Sequence, residues 1–292
     1  MDLLTLMDWS PKDISGVIEL AIHIKKNPKK FSEKLKGKTL AMIFEKTSTR
    51  TRLSFEAGMT QLGGHAIYLD PSKTQLAKAE LKDEIKSMEK YVDAVMARVY
   101  KQKKVEEMAR YAAIPVINGL SDQFHPCQTL ADLTTIKEKF GTLKGIKIDY
   151  IGDGNNVCNS LIIGAKKVGI EISVAIPKGY EPMQKVVSFA GKNLALSHDP
   201  AAAAKGADVV YTDTWISMGQ EAEKAARLSA FKGFTVTKKL LGKALFMHCL
   251  PAYRGYEVAP DVIDGKQSII YQQAENRLYA QNAVLLKLLG VQ

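Results

Sequence analysis

The chain has little of what marks several protein classes. Its 292 residues include only three cysteines, Cys127, Cys158 and Cys249, an odd number with no metal-ligand spacing. Free thiols in a reducing compartment fit this better than a disulfide framework. No apolar run approaches the ~20 residues that span a bilayer. The start, Met1-Asp2-Leu3-Leu4, lacks the basic-then-apolar order of a signal peptide. The expectation is a soluble, cytoplasmic protein rather than a membrane one. There is no internal repeat, and no low-complexity segment beyond Ala201–Ala204. The net charge of +10 and pI of about 9.3 invite a nucleic-acid reading. Against it, the lysine pairs Lys25-Lys26, Lys29-Lys30, Lys103-Lys104 and Lys238-Lys239 are scattered, and aromatics do not interleave with them as a stacking platform requires. A solvated face whose potential steers small anions fits better.

What is present points to a large globular chain. Hydrophobic residues make up 46% and charged residues 25%, enough for a sizeable core, and the length suggests about two domains. Short apolar runs alternate with longer amphipathic ones, the pattern of an α/β fold with mostly parallel strands. In the first half, strands are expected at 39–44, 66–69, 94–99 and 115–118. Helices are expected at 11–25, 52–62, 83–91, 105–112 and 126–140. Gly141 ends a helix, and Thr142–Gly145 reads as a connection. A second series places strands at 146–151, 172–176, 194–197, 208–212 and 244–248, with helices at 157–168, 183–191 and 201–205. Residues 215–240 are irregular, and 274–289 form a helix apolar on one side. Two doubly wound parallel-sheet domains linked by helices follow, 1–140 and 141–273, with ligands at the carboxyl ends of strands.

Polar clusters stand just past several of these strands. Ser48-Thr49-Arg50-Thr51-Arg52 lies where a strand turns into a helix. Free N–H groups, the positive dipole end, hydroxyl donors and a guanidinium fork suit a phosphate there. Plain helix capping by Ser48 is the competing reading. Arg98 closes an apolar strand and needs an anion or an exit to solvent. In His125-Pro126-Cys127-Gln128 the proline suits a first helical position, so His125 and Gln128 flank another helix start. Gly152-Asp153-Gly154-Asn155-Asn156 resembles a dinucleotide fingerprint, but the third glycine is missing and Pro177-Lys178 stand where an acid is needed. A small polar ligand suits the asparagines better than a nicotinamide cofactor. Asp213, past another strand, could hold an ammonium group. His248 and Cys249 are adjacent on a strand and so face opposite ways, which argues against a thiol–imidazole pair. Cys249 could instead orient a substrate amine. Arg277, near the start of the last helix, could reach back toward the domain interface.

With these residues in view, the chain resembles the ornithine carbamoyltransferases of the aspartate/ornithine carbamoyltransferase superfamily over nearly its whole length. Ser-Thr-Arg-Thr-Arg stands at 48–52, His-Pro-x-Gln at 125–128, Asp-x-x-x-Ser-Met-Gly at 213–219 and His-Cys-Leu-Pro at 248–251. The first two motifs are shared with aspartate carbamoyltransferases, and the last two mark the ornithine branch. The resemblance implies that 1–140 bind carbamoyl phosphate and 141–273 bind L-ornithine, with the C-terminal helix 274–292 packing back on the first domain. It implies a homotrimer or a multiple of trimers, with Gln75 on a loop that reaches a neighbouring subunit. Ser48, Thr49, Arg50 and Thr51 would grip the phosphate, and Arg98, His125 and Gln128 would hold the carbamoyl group and phosphate. Asn156, Asp213, Ser217 and Met218 would bind ornithine, while Cys249 and Leu250 line the reacting amine. Arg277 would join the closed site. Arg98, His125 and Cys249 are the expected catalytic residues, and no metal or cofactor is implied. Two positions depart from the family pattern. Ala77-Lys78-Ala79-Glu80 replaces Gly-Arg-Gly-Glu, and Tyr253 replaces a histidine. Other readings are the same transfer to putrescine or aspartate, an anion-binding homologue without activity, and a nucleic-acid binder.

Overall fold

Residues 1–216 and 221–291 are described by a computed structural model. They form two units, Met1–Thr134 with Glu275–Gln292, and Thr135–Ala274. In the first, strands β1 (Thr39–Phe44), β2 (His65–Leu69), β3 (Ala94–Arg98) and β4 (Val116–Leu120) form a parallel sheet in the order β2-β1-β3-β4. Helices α1 (Pro11–Lys26), α2 (Thr49–Gln61), α3 (Leu81–Met88) and α4 (Gln102–Tyr111) alternate with them, and α5 (Pro126–Phe140) follows. Strands β1 and β3 are almost wholly buried, so they read as continuous apolar runs rather than alternating ones. The strand order reverses direction between β1 and β3. The segment leaving β1 carries Ser48 to Arg52, and β3 ends at Arg98, where a doubly wound sheet opens its ligand crevice.

The second unit repeats the plan. Strands β5 (Lys147–Ile151), β6 (Glu171–Ala175), β7 (Leu194–Ser197), β8 (Val209–Thr212) and β9 (Leu245–His248) pair in parallel in the order β7-β6-β5-β8-β9. Its reversal lies between β5 and β8, which lead into Gly152–Asn156 and Asp213. One face of this sheet is sealed by an aromatic core of Trp215, Phe231, Phe234 and Phe246. Asp149 is at odds with its surroundings: it sits in the middle of β5, fully buried, and neither carboxyl oxygen has a hydrogen-bond partner among the described residues. Burial pushes its pKa up to about 8.

The expected elements are present with shifted ends, and the shifts matter at the site. Helix α2 begins at Thr49, not Arg52, so the hydroxyl-and-arginine run is the first helical turn itself. Helix α6 spans Asn156–Val168, α7 Gln184–Ala190 and α8 Pro200–Ala203. The irregular stretch also holds α9 (Lys224–Ala230) and α10 (Lys238–Leu241), and α11 (Pro260–Ile263) follows β9. The last helix, α12, runs Ile270–Leu288 and meets α2 closely. A Cβ at Gly58 of α2 would fall 2.2 Å from the Asn282 side-chain oxygen, so glycine permits this approach.

Candidate active site

In the first unit, the start of α2 is capped as the sequence allows. The Ser48 hydroxyl accepts from the Thr51 N–H at 3.3 Å. The two arginines of the run diverge. Arg52 is exposed, lies 4.0 Å over the Tyr68 ring and pairs with Glu56 at 2.9 Å, so its charge is already engaged. Arg50 is half-buried in the first turn, beside the exposed Thr49. Thr51 is buried, and its hydroxyl accepts from Arg277 of α12 at 3.3 Å. Arg277 also donates to the Gln128 carbonyl oxygen at 2.7 Å. Four residues expected to share a ligand, from three separate helices, are therefore in one neighbourhood: Arg50, Thr51, Gln128 and Arg277.

His125 precedes α5, and its carbonyl accepts from the N–H groups of Gln128 and Thr129. The side chain is buried, and its pKa is held well below the ordinary histidine value, first by burial and then by the charges of Arg277 and Arg98. It is thus a neutral imidazole at physiological pH. It can donate or accept a hydrogen bond but adds no cation. Arg98, at the end of β3, is buried. Lys46, in the turn after β1, is a basic residue that sequence reasoning passed over. Burial and Arg98 lower its pKa, and its ammonium lies 4.6 Å over the Tyr100 ring. Its place two residues before Ser48 was the available signal.

In the second unit, Asp213 is the hub. It is buried, accepts from the Cys249 thiol at 3.0 Å and accepts from the Asn155 amide at 2.8 Å. Asn155 also caps α6, its side-chain oxygen accepting from the N–H groups of Val157 and Cys158. The asparagine bonded to Asp213 is therefore Asn155. Asn156, expected to bind ornithine, begins the helix, and its carbonyl accepts from Ser160. Asn155 was not singled out from the sequence, and the tandem Asn155-Asn156 was the only signal for it. Both nitrogens of His248 are engaged by other residues. Its Nδ1 accepts from the Leu250 N–H at 2.8 Å, and its Nε2 lies 3.3 Å from Glu257, both side chains being fully buried. This bond holds Leu250 at φ 59°, a region a branched side chain rarely adopts, so the turn after Cys249 is fixed from within. Ligand atoms of Asp213, His248 and Cys249 lie within 4.8 Å of one another. A cation there would have to displace one of the two contacts that already engage the imidazole.

The remaining expectations are distributed as follows. Gln75 stands exposed on a 3-10 turn, Gln75–Ala77, and none of the bonds above joins it to this cluster. Tyr253 is exposed, while its N–H donates to Glu257. Ser217 and Met218 lie outside the described residues. The loop leading to them is anchored by a buried ion pair. Arg227 of α9 meets Asp153 at 2.9 Å and donates to the Trp215 carbonyl at 3.0 Å. Burial pushes Asp153 up to about 6, although Arg227 pulls the other way. Gly154 of the apparent dinucleotide fingerprint has a packing reason. A Cβ on Gly154 would lie 2.4–2.5 Å from backbone atoms of Tyr180, Glu181 and Pro182.

Comparison with known proteins adds a further finding. Residues 1–138 match the family model described as "Aspartate/ornithine carbamoyltransferase, carbamoyl-P binding domain", and residues 144–288 match its "Asp/Orn binding domain". The chain is 54% identical to a Pyrococcus horikoshii protein named ornithine carbamoyltransferase, covering 99% of this chain and 96% of the relative. It is 52% identical, over 99% and 96%, to one from Pyrococcus furiosus named "Ornithine carbamoyltransferase, anabolic". Among solved structures, the ornithine carbamoyltransferase from Pyrococcus furiosus superposes with a TM-score of 0.95 at 52% identity, covering 99% and 97% of the two chains. The one from Thermus thermophilus gives 0.91 at 43% identity, covering 99% and 98%.

Proposed function

The chain belongs to the aspartate/ornithine carbamoyltransferase family, and on that premise we propose that it transfers the carbamoyl group of carbamoyl phosphate to the δ-amino group of L-ornithine. The products are L-citrulline and phosphate, in arginine biosynthesis. The relative named anabolic supports that direction. Residues 1–140 with the last helix take carbamoyl phosphate, and 141–273 take ornithine. The observation that carries the reading is the buried Thr51–Arg277–Gln128 chain beside the α2 N-terminus, which offers hydroxyl, guanidinium and amide to one small anion. The protein works as a homotrimer or a multiple of trimers in the cytoplasm, with Gln75 serving a neighbouring subunit.

The chemistry follows from these groups. Ser48, Thr49, Arg50 and Thr51 hold the phosphate against the helix N-terminus, where N–H groups and dipole favour an anion. The neutral amine nitrogen attacks the carbonyl carbon, a C–N bond forms, and the C–O bond to phosphate breaks with its electron pair on phosphate. The second amine proton leaves to phosphate or solvent. Negative charge grows on the carbonyl oxygen, and Arg98, His125 and Thr51 oppose it, an effect commonly worth about 10²–10³ in rate per donor removed. His125 contributes as a neutral donor, consistent with its depressed pKa. An amine like that of lysine has a pKa of about 10.4, so the site must take a proton from it before attack. The sequence expectation gives Asp213 the α-ammonium and Cys249 the δ-nitrogen. The Cys249 thiol donates to Asp213 at 3.0 Å, which supports the two residues acting in one ornithine site. Asn155 holds Asp213, while Asn156, Leu250, Ser217 and Met218 complete the ornithine contacts. Phosphate is already an activated leaving group, so no cofactor is assigned.

Incubation with carbamoyl phosphate and a panel of amines, followed by detection of the ureido product, tests the reading. Product with ornithine is expected. Product with putrescine or aspartate instead moves the acceptor, and no product with any amine rejects the proposal.

A further inference from the structure

We propose that Asp132 is a positioning residue that fixes which end of the Gln128 amide faces the substrate, and thereby selects a carbamoyl group over an acetyl group. The assignment rests on the functional reading above, in which Gln128 holds the carbamoyl moiety. Gln128 is in the first turn of α5 and Asp132 lies one turn later, on the same side of the helix. Their exposures are 1% and 0%. The amide nitrogen donates to the Asp132 carboxylate at 2.9 Å. At the other end, the amide oxygen accepts from Arg277 at 2.7 Å. Reversing the amide would set its N–H₂ against a guanidinium and its oxygen against a carboxylate. Two buried, charge-assisted hydrogen bonds would become two repulsive contacts.

Arg277 is itself held, by Thr51 at 3.3 Å and, with the Gln281 amide turned to satisfy both its ends, by Gln281 at 3.1 Å. The orientation of Gln128 is thus determined from both sides. An amide oxygen has two acceptor sites, and Arg277 uses one. The other is an acceptor of fixed direction. Carbamoyl phosphate offers an N–H₂ to it. Acetyl phosphate, nearly the same in shape and charge, offers a methyl group, which leaves the acceptor unpaired.

The test measures binding of carbamoyl phosphate, acetyl phosphate and inorganic phosphate to the full chain. It compares wild type with Asp132→Leu, which removes the acceptor, and Asp132→Asn, which keeps an oxygen there. The wild type is expected to prefer carbamoyl to acetyl phosphate. Asp132→Leu should lose about ten-fold of that ratio, the scale of one hydrogen bond, with little change for inorganic phosphate. Asp132→Asn should restore most of the ratio. If the leucine variant does not fold, Asp132→Ser, too short to reach the amide, carries the same expectation. An unchanged ratio, or parallel weakening of all three ligands, overturns the assignment. A wild type that binds carbamoyl phosphate but does not discriminate also overturns it. A wild type that binds no carbamoyl phosphate rejects the functional reading itself.

Discussion

Replacing Asp149 by asparagine should make the protein more stable above neutral pH, and the size of the effect can be worked out. Asp149 is fully buried in β5 with neither oxygen hydrogen-bonded among the described residues, and its folded pKa is raised from 3.8 to about 8. Because the folded value lies above the unfolded one, the folded state holds a proton that the unfolded state releases between these values. The stability associated with this group is fully present below pH 3.8 and is lost as pH rises through 8. Each unit between the two values costs about 1.4 kcal/mol. Relative to a group that does not titrate, the loss is about 2 kcal/mol at pH 5, about 4 at pH 7 and about 6 at pH 9. Asparagine keeps the volume and leaves a comparable polar group buried, so the difference isolates ionisation. Urea unfolding of both proteins from pH 5 to pH 9 reads it directly. The gap should widen by about 4 kcal/mol over that range. Parallel profiles would mean that Asp149 stays ionised with a partner, and the reasoning from burial would fail.

Other consequences follow from the geometry. Arg50→Ala should lower kcat by at least about 10²–10³ with the fold retained. Arg52→Ala should stay within a few-fold, because Arg52 already serves Tyr68 and Glu56; steady-state rates of the pair decide this, and equal losses would contradict it. Gly154→Ala should destabilise by about 1–3 kcal/mol through contact with the backbone of 180–182; an unchanged melting temperature would count against that packing. Arg227→Met should cost about 3–5 kcal/mol by stranding Asp153; the double change with Asp153→Leu should recover much of it in a double-mutant cycle.

Strand positions were legible because buried parallel strands are short apolar runs, and their alternation with amphipathic helices dictated the doubly wound plan. Gly58 and Gly154 were less legible. One admits α12 against α2 and the other a loop against Tyr180–Pro182, and both are contacts of distant chain segments. Capping and phosphate binding at Ser48 were competing readings in the sequence, and the observed cap leaves them compatible, since a hydroxyl that accepts from Thr51 can still donate. The bond from Asn155 to Asp213 was not legible, because it depends on Asn155 standing as the cap one residue before α6 begins. The split roles of Arg50 and Arg52 turned on Tyr68, a residue on the neighbouring strand. Strand alternation does not reach Cys249, because β9 ends at His248, and nothing in the sequence signalled that His248 would meet Glu257, nine residues later. Asp149 gave no sign in a run, Ile146–Ile151, that reads as an ordinary strand.

Carbamoyl transfer to ornithine is tested most directly by following the bond that forms. With carbamoyl phosphate labelled with carbon-13 and ornithine labelled with nitrogen-15 at the δ-position, NMR of the reaction should show one-bond coupling between the two labels in the product. Carbon-13 appearing only in carbamate or bicarbonate, with no coupled signal, would contradict it.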